Sequence, residues 1–121
     1  MKVFIGSLPE HVDEKLFVDG ERASLQQCLH ADCIKNFHLL IKGHEEDDVR
    51  EFVQNWIHAH PHGMIQLNEV GSGIVPIKKE DRQWRDMVGK IGSLLTKNAE
   101  EVYRTYFGIT TKIKGQGRTR V

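Results

Sequence analysis

Met64-Ile65-Gln66-Leu67-Asn68-Glu69-Val70-Gly71-Ser72-Gly73-Ile74-Val75-Pro76 is the stretch that decides the fold. Its first four residues are too short a run for a helix and read as a strand. The strand passes straight into a glycine-punctuated loop. Lys79 to about Asn98 then has helical spacing, with Trp84, Val88, Ile91 and Leu95 on one stripe and Met87 and Leu94 beside it. Glu101 to Phe107 is rich in β-formers and stops at Gly108, which predicts a further strand paired with Ile109 to Ile113. A strand, a crossover helix and another strand imply parallel pairing with right-handed connections.

The same alternation extends toward the N-terminus. Lys2-Val3-Phe4-Ile5 reads as a buried strand meeting a turn at Gly6-Ser7, and Leu8 to Lys15 reads as loop. Leu16-Phe17-Val18 is a second short strand closed by Asp19-Gly20. Ser24 can cap a turn that includes Leu25, Cys28 and Leu29. Asp32 can cap a second helix carrying Ile34, Phe37, His38 and Ile41 and ending at Gly43. Glu45, Glu46, Asp47 and Asp48 put negative charge at a third helix start, continued by Val49, Phe52, Val53, Trp56 and Ile57. The expected fold is α/β: three layers, a mostly parallel sheet of about four or five strands, and helices on both faces. In such sheets ligands collect at the carboxyl ends of strands. Those ends carry Gly6-Ser7, Asp19-Gly20, Asn68-Glu69-Val70-Gly71 and Gly108.

The 121 residues suit one domain, expected over 1–114, with 115–121 a flexible basic tail. Lys+Arg and Asp+Glu both total 17, so there is no general electrostatic pull toward nucleic acid or an anionic membrane. Charged residues at 28% and apolar residues at 39% are those of a globular chain. No apolar run approaches the roughly 20 residues of a membrane span. Met1 to Gly6 is too short an apolar start for a signal peptide, so a cytoplasmic protein with reduced Cys28 and Cys33 is expected.

Several residues have chemistry worth weighing. Asp19 closes a strand and could hold Mg²⁺ through water, although Asp-Gly also suits a plain turn. Glu69 ends a strand beside glycines that permit close ligand approach, or is a loop carboxylate paired with Arg82 or Arg85. Arg82 and Arg85, three apart on one helix, could grip phosphate as a fork or be surface groups. His58, His60 and His62 alternate and could face one metal in an extended chain, but the solvated loop is the better reading. Cys28, His30, Cys33 and His38 share no face on a helical reading, so no metal site is expected. A Cys–His nucleophile pair would lack a third orienting group.

The ordered segment Asn68-Glu69-Val70-Gly71-Ser72-Gly73-Ile74-Val75-Pro76 resembles the Asn-Glu-Val-Gly-x-Gly-Ile-Val-Pro segment of the adenosylcobinamide kinase/adenosylcobinamide-phosphate guanylyltransferase family. Arg82-Gln83-Trp84-Arg85-Asp86 with Gly89-Lys90 is similar to the helix that follows it in that family. Ala99 to Tyr103, Phe107-Gly108-Ile109 and Lys112-Ile113-Lys114 are similar to its ending. Phe17-Val18-Asp19-Gly20 and Asn36-Phe37-His38 resemble short relatives. The resemblance implies a P-loop-type α/β fold in assembly of the cobalamin nucleotide loop, with GTP, Mg²⁺ and self-association. The family's full enzymes phosphorylate adenosylcobinamide and then transfer a guanylyl group from GTP through a histidine.

This sequence departs from that pattern at the phosphate loop. Such a loop needs glycines followed by Gly-Lys-Ser/Thr at a helix start, so that backbone N–H groups, a lysine and a hydroxyl meet the phosphates and Mg²⁺. Here Ile5-Gly6-Ser7 is followed by Leu8-Pro9-Glu10-His11, and Glu10, Asp13 and Glu14 would repel phosphate. The interval from Gly6 to Asp19 is also too short for a loop, its helix and a further strand. The expected function is therefore a non-catalytic nucleotide- or corrinoid-binding relative. The alternatives are an active GTP-dependent cobinamide kinase/guanylyltransferase and a metal-binding or regulatory protein. Gly6, Ser7, Asp19, Asn68, Glu69, Gly71, Gly73, Arg82 and Arg85 are the candidate ligand-binding residues, and no residue is assigned a catalytic role.

Overall fold

The computed structural model describes residues 1–70 and 78–115. Six strands form one sheet: β1 (Lys2–Gly6), β2 (Val18–Asp19), β3 (Cys33–Lys35), β4 (Met64–Leu67), β5 (Glu101–Tyr106) and β6 (Ile109–Lys114). The helices are α1 (Leu25–Leu29), α2 (Phe37–Leu40), α3 (Glu46–Ala59) and α4 (Lys79–Asn98), and a 3-10 turn spans Glu14–Leu16. The sheet order is β2-β3-β4-β1-β5-β6. All pairings are parallel except β5 with β6, an antiparallel hairpin.

The α/β class and mostly parallel sheet match expectation, and the sheet has six strands where four or five were expected. The chain's direction of travel explains where the helices lie. Right-handed crossovers that step the same way across a sheet must lie on the same face. β2 to β3, β3 to β4 and β4 to β5 all step the same way. Their helices accordingly share one core with Val3, Ile34, Ile65, Leu67 and Val102. The connection from β1 back to β2 steps the other way and crosses the opposite face. It is short, so the second helical layer is reduced to a loop and the single 3-10 turn. Phe17 there packs against Phe4 and Cys33, joined by Leu8, Val12 and Tyr103.

Two local expectations are corrected. Asp32 caps no helix, because Cys33-Ile34-Lys35 pairs with β4 (Ile34 opposite Ile65) and with β2. A sheet place between two strands satisfies their backbone groups better than an isolated turn. The helix begins only at Phe37, after Asn36 turns the backbone into the left-handed region at φ 56°. The second expected strand, Leu16-Phe17-Val18, shrinks to Val18–Asp19, since Leu16 closes the 3-10 turn. Ser24 does cap α1, in a reciprocal box with Gln27, and α4 has the expected bounds.

Candidate functional site

The carboxyl ends of β2, β3, β4 and β1 are tied together by side chains. Gln66, in the middle of β4 and only 5% exposed, holds three groups. Its Oε1 accepts from Asn36 N at 2.7 Å, and its Nε2 donates to Gly6 O at 2.6 Å and Asn68 Oδ1 at 3.0 Å. Asn36 Nδ2 donates in turn to Asp19 Oδ1 at 2.9 Å, which also accepts from Glu21 N. These bonds, led by that from Asn36, hold the Asp19 carboxyl below the ordinary carboxylate range. A buried polar side chain without partners would cost roughly 1–3 kcal/mol, so this network fixes the strand ends relative to one another.

His38, on α2, continues the frame. It is buried, and its Nδ1 accepts from Asn68 N at 3.1 Å, so the ring's proton sits on the other nitrogen. Its backbone carbonyl accepts from Trp84 Nε1 at 2.7 Å, and the two rings stack with centroids 6.5 Å apart. Burial pushes the His38 pKa down from 6.5. The folded state thus keeps the neutral ring, while the unfolded chain takes up a proton near pH 6.5. This contribution to stability is complete above that pH and is lost as pH falls from 6.5 toward the depressed folded value. Urea midpoints measured from pH 7 down to about pH 5 should therefore fall more in the wild type than in His38→Gln, whose side chain accepts without titrating. Equal slopes would refute it.

Beside this frame lies an apolar crevice of about 530 Å³ between the strand ends and α4. Ile5, Leu67, Asn68, Glu69, Arg85 and Val88 contribute to its wall. On the helical side Gly89 and Gly92 lie among Arg85, Val88, Ser93 and Thr96. Glycine inside a helix costs about 1 kcal/mol relative to alanine. A Cβ at Gly89 would meet nothing within 4 Å, and one at Gly92 would make ordinary contact at 3.7 Å from Leu67. Packing therefore does not demand either glycine, and their small size leaves the crevice open.

The sequence-derived candidates fall out as follows. Gly6, Ser7, Asn68 and Glu69 meet at the ends of β1 and β4. Asp19 joins them through Asn36 and Gln66. Arg85 lines the crevice and lies 3.4 Å from Asp86, whereas Arg82 is exposed and does not line it. Gly71 and Gly73 lie outside the described residues. Glu69 pairs with Arg104 Nη2 at 2.6 Å rather than with Arg82 or Arg85. Asn36, Gln66 and His38 were not singled out as site residues by the sequence. A glutamine inside an otherwise apolar strand, Met64-Ile65-Gln66-Leu67, was the available signal, since a buried amide must find partners. His60 faces Asp32 Oδ1 at 2.6 Å and Leu29 O at 2.7 Å, a packing role. No group of three metal-ligating side chains occurs among the described residues.

A mostly parallel sheet whose chain reverses direction at β1, with a crevice at the adjoining strand ends, is an α/β architecture with its switch point at the place where such folds take ligands. The sequence matches the cobinamide kinase / cobinamide phosphate guanyltransferase family over residues 4–113, and the chain belongs to that family. It is 45% identical over 51 residues to the bifunctional adenosylcobalamin biosynthesis protein CobU of Salmonella typhimurium. It is equally similar over the same length to the protein of that name from Escherichia coli. The match covers 42% of this chain and 28% of each relative's length.

Proposed function

We propose that this chain is a cytoplasmic member of its family that binds a nucleotide or corrinoid at the strand ends, in service of cobalamin synthesis, and does not itself transfer phosphoryl groups. The observation that carries the reading is the path of the chain after β1. Ser7 to Asp13 is followed by a three-residue 3-10 turn, where a phosphate loop would place the N-terminus of a helix. The fit to a loop-bound Mg-triphosphate is poor. Glu10, Asp13 and Glu14 are exposed along this connection, and Asp19 Oδ1 is engaged by Asn36 and Glu21. Without backbone donors converging on the phosphates, most of the charge stabilisation of phosphoryl transfer is missing. No described helix is long and apolar enough to cross a membrane.

The crevice supports binding. Its volume lies within the roughly 300–1,000 Å³ of small-molecule sites, and apolar walls with a few polar groups are their usual lining. Calorimetric titration with GTP and, separately, with cobinamide should give saturable heat for at least one. No GTP-dependent phosphorylation of cobinamide should accompany it. Silence for both ligands rejects the binding reading, and phosphorylation restores the catalytic one.

A further inference from the structure

A second, polar hollow of about 300 Å³ lies at the ends of β1, β3 and β4. Asn68 lines both it and the apolar crevice, so the two adjoin at the carboxyl end of β4. Ser7, Lys35, Asn36 and Gln66 supply its hydroxyl, ammonium and amide groups. The Gln66 and Asn36 amides are held by the network already described, and the left-handed turn at Asn36 aims the chain away after Lys35. Lys35 is the cation here. Its side chain is 23% exposed, and its Nζ lies 2.9 Å from Glu14 Oε1, on the 3-10 turn. Glu14 itself is 66% exposed. Asp19 and Arg22 are the other charges acting on Lys35.

We propose that Lys35, with the Ser7 hydroxyl and the second N–H of the Asn36 amide, forms a subsite for the phosphate of a small ligand whose body lies beyond Asn68 in the apolar crevice. This rests on the ligand-binding reading above for the body, but not for the phosphate itself. Once Glu14 yields it, an ammonium beside amide and hydroxyl groups suits a phosphate oxygen, whereas a carboxylate is better met by the planar fork of arginine. The Glu14 pair does not block the site, because exposed ion pairs are weak and a doubly charged phosphate can displace one carboxylate. Glu14 competes with the phosphate for Lys35 Nζ. Charge is thus delivered from β3 instead of from a loop after β1.

The test is titration of the whole chain with inorganic pyrophosphate, without nucleotide, followed by amide nuclear magnetic resonance. Saturable shifts are expected at Ser7, Lys35, Asn36 and the Gln66 side chain. Lys35→Met should weaken the response about tenfold, and Lys35→Arg should retain most of it. Glu14→Gln should tighten it about threefold, a change of opposite sign that unfolding cannot imitate. Absence of shifts in the wild type overturns the proposal. So does a response in Lys35→Met equal to the wild type, or a weaker one in Glu14→Gln. Because the probe carries neither base nor corrin, failure here is separate from failure of the GTP and cobinamide titrations.

Discussion

Trp56→Ala is expected to lower the unfolding free energy by about 3–5 kcal/mol, the range for truncating a large buried aromatic side chain. Trp56 lies at the end of the α3 stripe Val49, Phe52, Val53 and Trp56, and it is fully buried. Its Nε1 donates to Ala31 O at 2.8 Å, across to the turn between α1 and β3. Its ring also lies against the backbone of Gly63, where an added Cβ would come within 2.9 Å of Cζ2 and Cη2. One side chain therefore joins α3, the entry to β3 and the entry to β4. Alanine leaves a cavity and an unpaired carbonyl together. Against a typical total of about 5–15 kcal/mol, that is a fifth or more of the stability. Trp56→Phe should lose less, about 1–3 kcal/mol, because most of the packing survives and the Ala31 carbonyl is orphaned. Urea unfolding followed by circular dichroism measures both, with Trp84 as an independent fluorescent reporter. A loss below about 1.5 kcal/mol for the alanine variant would mean the ring is not packed as described.

What was legible in the sequence follows from how local each signal is. Helix α4 shows itself because 20 residues carry an unbroken apolar stripe, Trp84 to Leu95. The β5–β6 hairpin shows itself through β-formers flanking Phe107-Gly108, both at positive φ. β3 was hidden because three residues carry no period, and Ile34, Phe37, His38 and Ile41 happen to fall at helical spacing. Its pairing with β2 and β4 is decided by residues 16 to 31 positions away, which no window along the chain contains. The site divides in the same way. Strand ends could be located because glycines and turn residues mark them. The partner of Glu69 could not, since Arg104 lies 35 residues on, in a strand whose neighbour is β1. The network through Asn36 and Gln66 joins four strands, so it exists only once their order is fixed.

Gly6→Ala carries the second large expected effect, and it couples the fold to the site. Gly6 ends β1 at φ +85°, where an L side chain is strained. An added Cβ would stand 2.3 Å from Thr105 O, a backbone atom of β5 that cannot swing aside like a flexible side chain. Relief requires β1 and β5 to separate at their paired ends, Gly6 opposite Thr105. The conformational strain is worth about 1–3 kcal/mol, and forced overpacking adds a similar amount, so a loss of at least about 2 kcal/mol is expected. The same movement displaces Gly6 O, which accepts from Gln66 Nε2 at 2.6 Å. Gln66 then loses its fixed orientation and with it the link to Asn36 and Asn68. Gly6→Ala should therefore weaken pyrophosphate and crevice ligands even at temperatures where the variant stays folded. Ser7→Ala, one residue on and exposed, should leave stability within about 0.5 kcal/mol. Matching melting temperatures for Gly6→Ala and the wild type would show that the β1–β5 approach is looser than this geometry requires. A destabilised but folded Gly6→Ala that kept full ligand affinity would show that the strand-end frame does not govern the site.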